Sequence, residues 1–212
     1  MNPSEILTWL KEENKNRLEE LWQRADRVRR EHVGDEVHLR GLIEFSNYCV
    51  RLCEYCGLRV ANQKIDRYRM SLEEILECAR QAVVFGYGTV VLQSGEDWGT
   101  KQEWMAEVIR TIKKETSLAV TLSIGERSDE DLKAWRKAGA DRYLLRFETS
   151  NPELYAKIHP SLAGKLSDRI SLLKKLRTLG YETGSGIMIG IPGQTYEDIV
   201  KDIELFRTLD LD

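Results

Sequence analysis

The sequence predicts an α/β fold of about five βα units placed after an N-terminal helical segment. Two observations carry this reading. From about residue 37 onward, β-rich stretches alternate with segments of helical period, and no Pro- or Gly-rich linker, low-complexity tract or short repeat divides the chain. Residues 1–34 are therefore read as the helical segment and residues 35–212 as one domain, a size that buries a single core.

Asn2 is placed to cap a helix, with Pro3 in its first turn and Glu5 at its third position. This capping box opens a charged amphipathic helix pair that runs to about Val33. Residues 38–45 (HLRGLIEF) read as the first strand. Ser71 then caps a helix whose apolar residues Leu72, Ile75, Leu76, Ala79 and Val83 recur at helical spacing. The chain turns at Gly86 and Gly88 into a second strand, 89–93.

The unit repeats as a helix over 102–115, a strand over 119–124, a helix over 129–138 and a strand over 142–147. A short helix near Leu154 precedes a longer one through Leu166, Ile170, Leu173 and Leu176; a strand over 183–189 and a helix over 195–209 follow. Parallel strands joined by right-handed helical crossovers form either a doubly wound sheet or a barrel, and periodicity leaves both open. The sequence stops at Leu209-Asp210-Leu211-Asp212, where a next strand is due, so the architecture is expected to be partial, truncated at its C-terminal end.

Composition excludes several function classes. Hydrophobic residues at 42% and charged residues at 32% rule out a disordered chain. Lys plus Arg number 32 against 35 Asp plus Glu, with no basic stripe, so no nucleic-acid partner is expected. The N-terminus lacks the apolar stretch of a signal peptide, and no run approaches the roughly 20 residues that span a bilayer. A cytoplasmic protein without membrane contact is the expectation.

Three of the four cysteines fall within eight residues, as Cys49-Val-Arg-Leu-Cys53-Glu-Tyr-Cys56, directly after the first strand. Clustered thiols in a chain without an export signal read as metal or redox groups rather than as a disulfide framework. Three thiolates on one loop suit an iron–sulfur cubane and leave its fourth iron without a protein ligand. That iron is then free to chelate the amino and carboxylate groups of a sulfonium nucleotide and pass it one electron. Zinc is the alternative, but it usually takes four ligands in paired C-x2-C form. The nearest fourth thiol, Cys78, lies 22 residues on in a helical pattern and reads as a small core residue.

The stretch IEFSNYCVRLCEYCGLR, with DRYRM at 66–70, LQSGED at 92–97, DRYLLRFETSNP at 141–152 and GIPGQT at 190–195, resembles the radical S-adenosylmethionine (SAM) superfamily. The resemblance is to its biotin-synthase-like group, and within that to FeFe-hydrogenase maturases of the HydE type. It implies a radical SAM TIM-type (β/α) barrel, here partial, holding a 4Fe–4S cluster on Cys49, Cys53 and Cys56 and cleaving SAM reductively.

By the same resemblance, Tyr55 lies by the adenine of SAM, and Gln93, Ser94, Gly95 and Glu96 form the loop that receives its amino group. Arg146 and Glu148 meet its carboxylate and ribose, Arg169 pairs with the carboxylate, and the backbone around Ile191 packs the adenine. Implied partners are a small-molecule or iron-complex substrate, an electron donor such as ferredoxin or flavodoxin, and the maturases HydF and HydG. A methylornithine-synthase or biotin-synthase type of reaction, or a non-catalytic cluster-binding fragment, are the alternatives.

These positions agree with the rule that ligands of parallel βα folds sit at the carboxyl ends of the strands. Arg146 and Glu148, two apart on a strand, share one face; the competing reading of these two and of Arg169 is a structural ion pair. Gly193 and Gln194 also fit a simple turn before a helix. His32, His38 and His159 lack metal-ligand spacing and read as structural or exposed. Trp104, Met105, Trp135 and Phe206 read as packing. Phe147 stands where the family usually has histidine; strand alternation predicts that it points away from Arg146 and Glu148, into the helix layer.

Overall fold

The computed structural model describes residues 1–162 and 167–212. Its first helix, α1 (Pro3–Leu10), opens with the expected capping box: Asn2 Oδ1 accepts from the Glu5 amide, and the Glu5 carboxylate accepts from the Asn2 amide. The helical lead-in is broken once. Glu12 Oε1 accepts from the amides of Glu13 and Asn14, and Asn14 then caps α2 (Lys15–Val33).

Five parallel strands follow, β1 (Gly41–Ser46), β2 (Thr89–Ser94), β3 (Ala119–Ser123), β4 (Arg142–Leu144) and β5 (Glu182–Gly184), hydrogen-bonded in the order β1-β2-β3-β4-β5. Spatial order repeats sequence order without a reversal. That decides between the two architectures left open by periodicity: a doubly wound sheet reverses its order at a switch point, whereas a barrel wall does not. The fold is a partial TIM-type wall.

Between the strands lie α3 (Leu72–Val84), α4 (Gln102–Glu115), α5 (Asp129–Ala138), α6 (Pro152–Ile158) and α7 (Arg169–Thr178), with α8 (Tyr196–Leu209) after β5. Alternation sets the faces. Ile43 and Phe45 of β1 are buried in the helix layer, while Leu42 and Glu44 lie on the opposite, exposed side. The main core runs from Ile43 and Phe45 through Ile75, Leu92, Ile109 and Leu122 to Trp135, Tyr143 and Leu173. Met105 and Trp135 are fully buried, Trp104, Phe206 and Cys78 pack at the core's edge, and Trp135 Nε1 donates to the Gln102 carbonyl at 2.9 Å. Phe147 is buried as expected, its ring 5.2 Å from that of Phe206 on α8.

Several boundaries differ from the sequence reading. Strand β1 starts at Gly41 rather than at residue 38, because its partner begins at Thr89 and the ladder opens with Gly41 opposite Val90. Strands β4 and β5 end at Leu144 and Gly184 rather than at 147 and 189. Beyond them Ser185 takes over: its hydroxyl donates to the Leu145 carbonyl at 2.8 Å and accepts from the Phe147 amide at 3.3 Å, which interrupts the ladder. Helix α7 begins at Arg169, capped by Asp168; Leu166, expected within it, lies outside the described residues.

Candidate cofactor site

Between β1 and α3 the chain makes the long loop that carries Cys49, Cys53 and Cys56. All three are free thiols; Cys53 is buried and the other two are half-buried. Burial pushes the Cys53 thiol up to about 11, against the pull of the Arg169 charge. The Arg51 amide donates to Cys49 Sγ at 3.4 Å. Among the described residues no three His, Cys, Asp or Glu side chains converge on a single-ion site. The donor set, three soft sulfurs on one loop, fits a multi-iron cluster.

This loop rests on the end of β2. A Cβ at Gly95 would lie 2.7 Å from Cys49 Cβ and closer still to the Tyr48 carbonyl, so only glycine lets the loop settle there. The Val50 amide donates to the Glu96 carbonyl at 3.0 Å. Farther along, Arg67 donates to the carbonyls of Asn47, Leu58, Arg59 and Asn62, holding the segment after Cys56 against its start.

The polar residues named from the sequence gather near the carboxyl ends of the strands. Tyr55, 42% exposed, donates through its hydroxyl to Glu148 Oε1 at 2.9 Å. Glu148 is buried and holds a left-handed backbone, φ 64°, a conformation uncommon for a non-glycine residue and typical of strained functional positions. Its Oε2 lies 3.3 Å from Arg146 Nε, while Arg146 Nη2 donates to the Ile187 carbonyl at 2.8 Å. Arg169, its side chain 10% exposed, stands at the start of α7: Nε reaches Glu126 Oε1 at 3.1 Å, Nη1 donates to the Arg146 carbonyl at 2.7 Å and lies 3.7 Å from Glu148 Oε1, and Nη2 meets His159 Nε2 at 2.8 Å.

Other positions named from the sequence make contacts within the chain. Gln93 donates to Glu44 Oε1 at 2.9 Å, and Ser94 Oγ to the Gly95 carbonyl at 2.6 Å. The Glu96 carboxylate turns inward, 2.8 Å from Arg51 Nη2, and accepts from the Glu126 amide at 3.2 Å. Ile191 is buried with Leu154 and Ile158, and its amide, like that of Gly190, donates to Gln194 Oε1. Gln194 therefore closes this loop on itself.

Sequence reasoning missed Arg51, Glu126, Tyr155 and Ser167, and placed His159 among the structural or exposed histidines without foreseeing its contact with Arg169. Glu126 carried a signal, a charged residue just past a strand end, as did Arg51, an arginine between two cysteines. Although burial pushes it up, the Ser167 hydrogen bond and the charges of Arg51 and Arg169 hold the Glu126 carboxyl below the usual range. Burial lowers His159 to about 4, aided by the charges of Arg169 and Arg51, so it is a neutral ring stacked 4.9 Å from Tyr155. No spacing announced it.

A singly wound parallel wall with three free thiols after its first strand and ionic side chains at its strand ends is the architecture of a radical SAM domain. Residues 43–206 match the radical SAM superfamily, and the chain belongs to it. It is 50% identical over 194 residues to the FeFe-hydrogenase maturase subunit HydE of Thermotoga maritima, covering 92% of this chain and 55% of that protein. It is 29% identical over 214 residues to the 3-methylornithine synthase of Methanosarcina barkeri, covering all of this chain and 60% of that one. Among solved structures, methylornithine synthase (PylB) superposes with a TM-score of 0.90 at 30% identity, over 100% of this chain and 62% of its own. The chain spans somewhat more than half the length of the curated relatives it matches.

Proposed function

We propose that this chain binds a 4Fe–4S cluster through Cys49, Cys53 and Cys56, binds SAM beside it and cleaves SAM reductively, as part of a HydE-type maturation of FeFe hydrogenase. The observation that carries the reading is the convergence of Tyr55, Glu148 and Arg169 around the thiol loop at the strand ends. When bound, the cluster supplies the electron that breaks a C–S bond of SAM to yield methionine and a 5'-deoxyadenosyl radical.

The chain's own residues bind and orient. Arg146, 52% exposed on its side chain, can exchange its contacts with the Ile187 carbonyl and Glu148 for the SAM carboxylate, with Arg169 fixed behind it. Tyr55 and the Glu148 carboxylate face one another where the nucleoside is to lie. Burial and the Glu148 charge push the Tyr55 phenol above its ordinary value, so it remains a hydrogen-bond donor. Gln93, Ser94 and the Gly95 backbone receive the SAM amino group, whereas the Glu96 side chain serves Arg51. The backbone of Ile191 closes the adenine side.

The 50% identity to HydE against 29% to methylornithine synthase favours the maturase. Its substrate is then a small molecule or iron complex, its electron donor a ferredoxin or flavodoxin, its partners HydF and HydG. Reduced thiols fit a cytoplasmic setting, and among the described residues no helix is long and apolar enough to cross a membrane. Anaerobic incubation of reconstituted, reduced protein with SAM tests the reading. Methionine and 5'-deoxyadenosine in equal amounts, lost in Cys53→Ala, support it; absence of both from a cluster-loaded protein supports a cluster-binding fragment instead. Restoration of hydrogenase activity in a HydE-deficient extract, rather than formation of methylornithine, separates the maturase from the methylornithine reaction.

A further inference from the structure

Arg51, between the first two cysteines, is 1% exposed, and its Nη2 lies 2.8 Å from Glu96 and 3.0 Å from Glu126. Both carboxylates are buried and come from the ends of different strands, β2 and β3. Gly125, at φ 74°, makes room: a Cβ there would sit 2.9 Å from Glu96 Oε2. The chain of charges continues from Glu126 to Arg169 at 3.1 Å, from Arg169 to Glu148 at 3.7 Å, and from Glu148 to the Tyr55 hydroxyl at 2.9 Å. It begins and ends on the thiol loop, two residues before Cys53 and two after it.

We infer that this buried belt, anchored at Arg51, positions Cys53 and sets the reduction potential of the cluster that the thiol loop holds. The inference rests on the cluster reading of the three cysteines. Arg51 and Glu96 approach closely without aligned hydrogen bonds, so charge dominates their interaction. Arg51 and Arg169 balance Glu96 and Glu126, which makes the centre of the belt neutral. Reduction adds negative charge to a cluster, so a nearby uncompensated carboxylate disfavours it and an uncompensated guanidinium favours it.

The test is a potentiometric titration at pH 8, followed by electron paramagnetic resonance, of the reconstituted protein and of Arg51→Met, Glu96→Gln, Arg51→Lys and the double variant Arg51→Met/Glu96→Gln. The expected result is a lower potential for Arg51→Met, a higher one for Glu96→Gln, and values near wild type for Arg51→Lys and the double variant. A purely structural role loosens the loop in every variant and does not give shifts of opposite sign. Should Arg51→Met not fold, Glu96→Gln must still raise the potential and Arg51→Lys must still preserve it. Normal cluster uptake with unshifted or same-sign potentials overturns this inference alone; failure of the wild-type protein to take up a cluster overturns the underlying reading as well.

Discussion

Replacing Arg169 with methionine isolates the part of the belt outside the thiol loop. Arg169 is 10% exposed and faces Glu126 at 3.1 Å and Glu148 at 3.7 Å. After its removal Glu126 keeps Arg51 and the Ser167 hydroxyl, while Glu148 keeps the Tyr55 hydroxyl and the half-exposed Arg146. Breaking a buried ion pair on one side costs about 3–5 kcal/mol. For a protein of this size each kcal/mol moves the melting temperature by roughly 2–4 °C, so the midpoint should fall by roughly 6–20 °C at pH 7.5. The pH dependence supplies a second check. Without the guanidinium the Glu126 carboxyl loses one of the charges that hold it low, so it titrates higher, and as pH falls it takes a proton and sheds its excess charge. The deficit of the variant should therefore shrink between pH 7.5 and pH 5 when followed by circular dichroism. A midpoint loss below about 2 °C at pH 7.5, or a deficit that does not change with pH, refutes the account of Arg169 as a buried charge partner.

Two other perturbations follow from the same geometry. His159 has a folded value of about 4 against an unfolded 6.5, so the unfolded state binds the proton first; its contribution is complete above about pH 6.5 and is lost as pH falls toward 4. Urea titrations across that window should show His159→Gln losing up to about 3 kcal/mol less stability on acidification than wild type; parallel curves contradict the assignment. Gly95→Ala should force the thiol loop off the end of β2, destabilise the protein by about 1–3 kcal/mol and lower the iron bound per molecule while far-ultraviolet circular dichroism stays native. Undiminished iron content counts against the close approach seen at this glycine.

Elements with strong local signals were legible in the sequence. The capping box at Asn2, the N-cap at Ser71 and the helix over 102–115 stand where propensity and periodicity placed them. What local pattern could not supply was strand order, which depends on partners far away in sequence; the ladder from Gly41 opposite Val90 to Leu144 opposite Gly184 settled it. Nor could it foresee Ser185, whose hydroxyl ends two strands early. At the site, the cysteine spacing announced the thiol loop because its chemistry is local. Residues that act through packing were hidden: His159 and Ser167 join Glu126 and Arg169 only after α6 and α7 have docked. Glu96 looked like a ligand-facing acid beside Gly95, yet the preference of a buried carboxylate for a buried cation sends it to Arg51.

The cysteine loop offers three sulfurs, and the claim that matters most is that a fourth iron remains open to SAM. Anaerobically reconstituted protein, reduced and examined by electron paramagnetic resonance before and after SAM is added, tests this directly. The account predicts about four irons per molecule and a reduced-cubane signal that changes on addition of SAM. A signal indifferent to SAM, or a protein with all three thiols intact that binds zinc and no cluster, contradicts it.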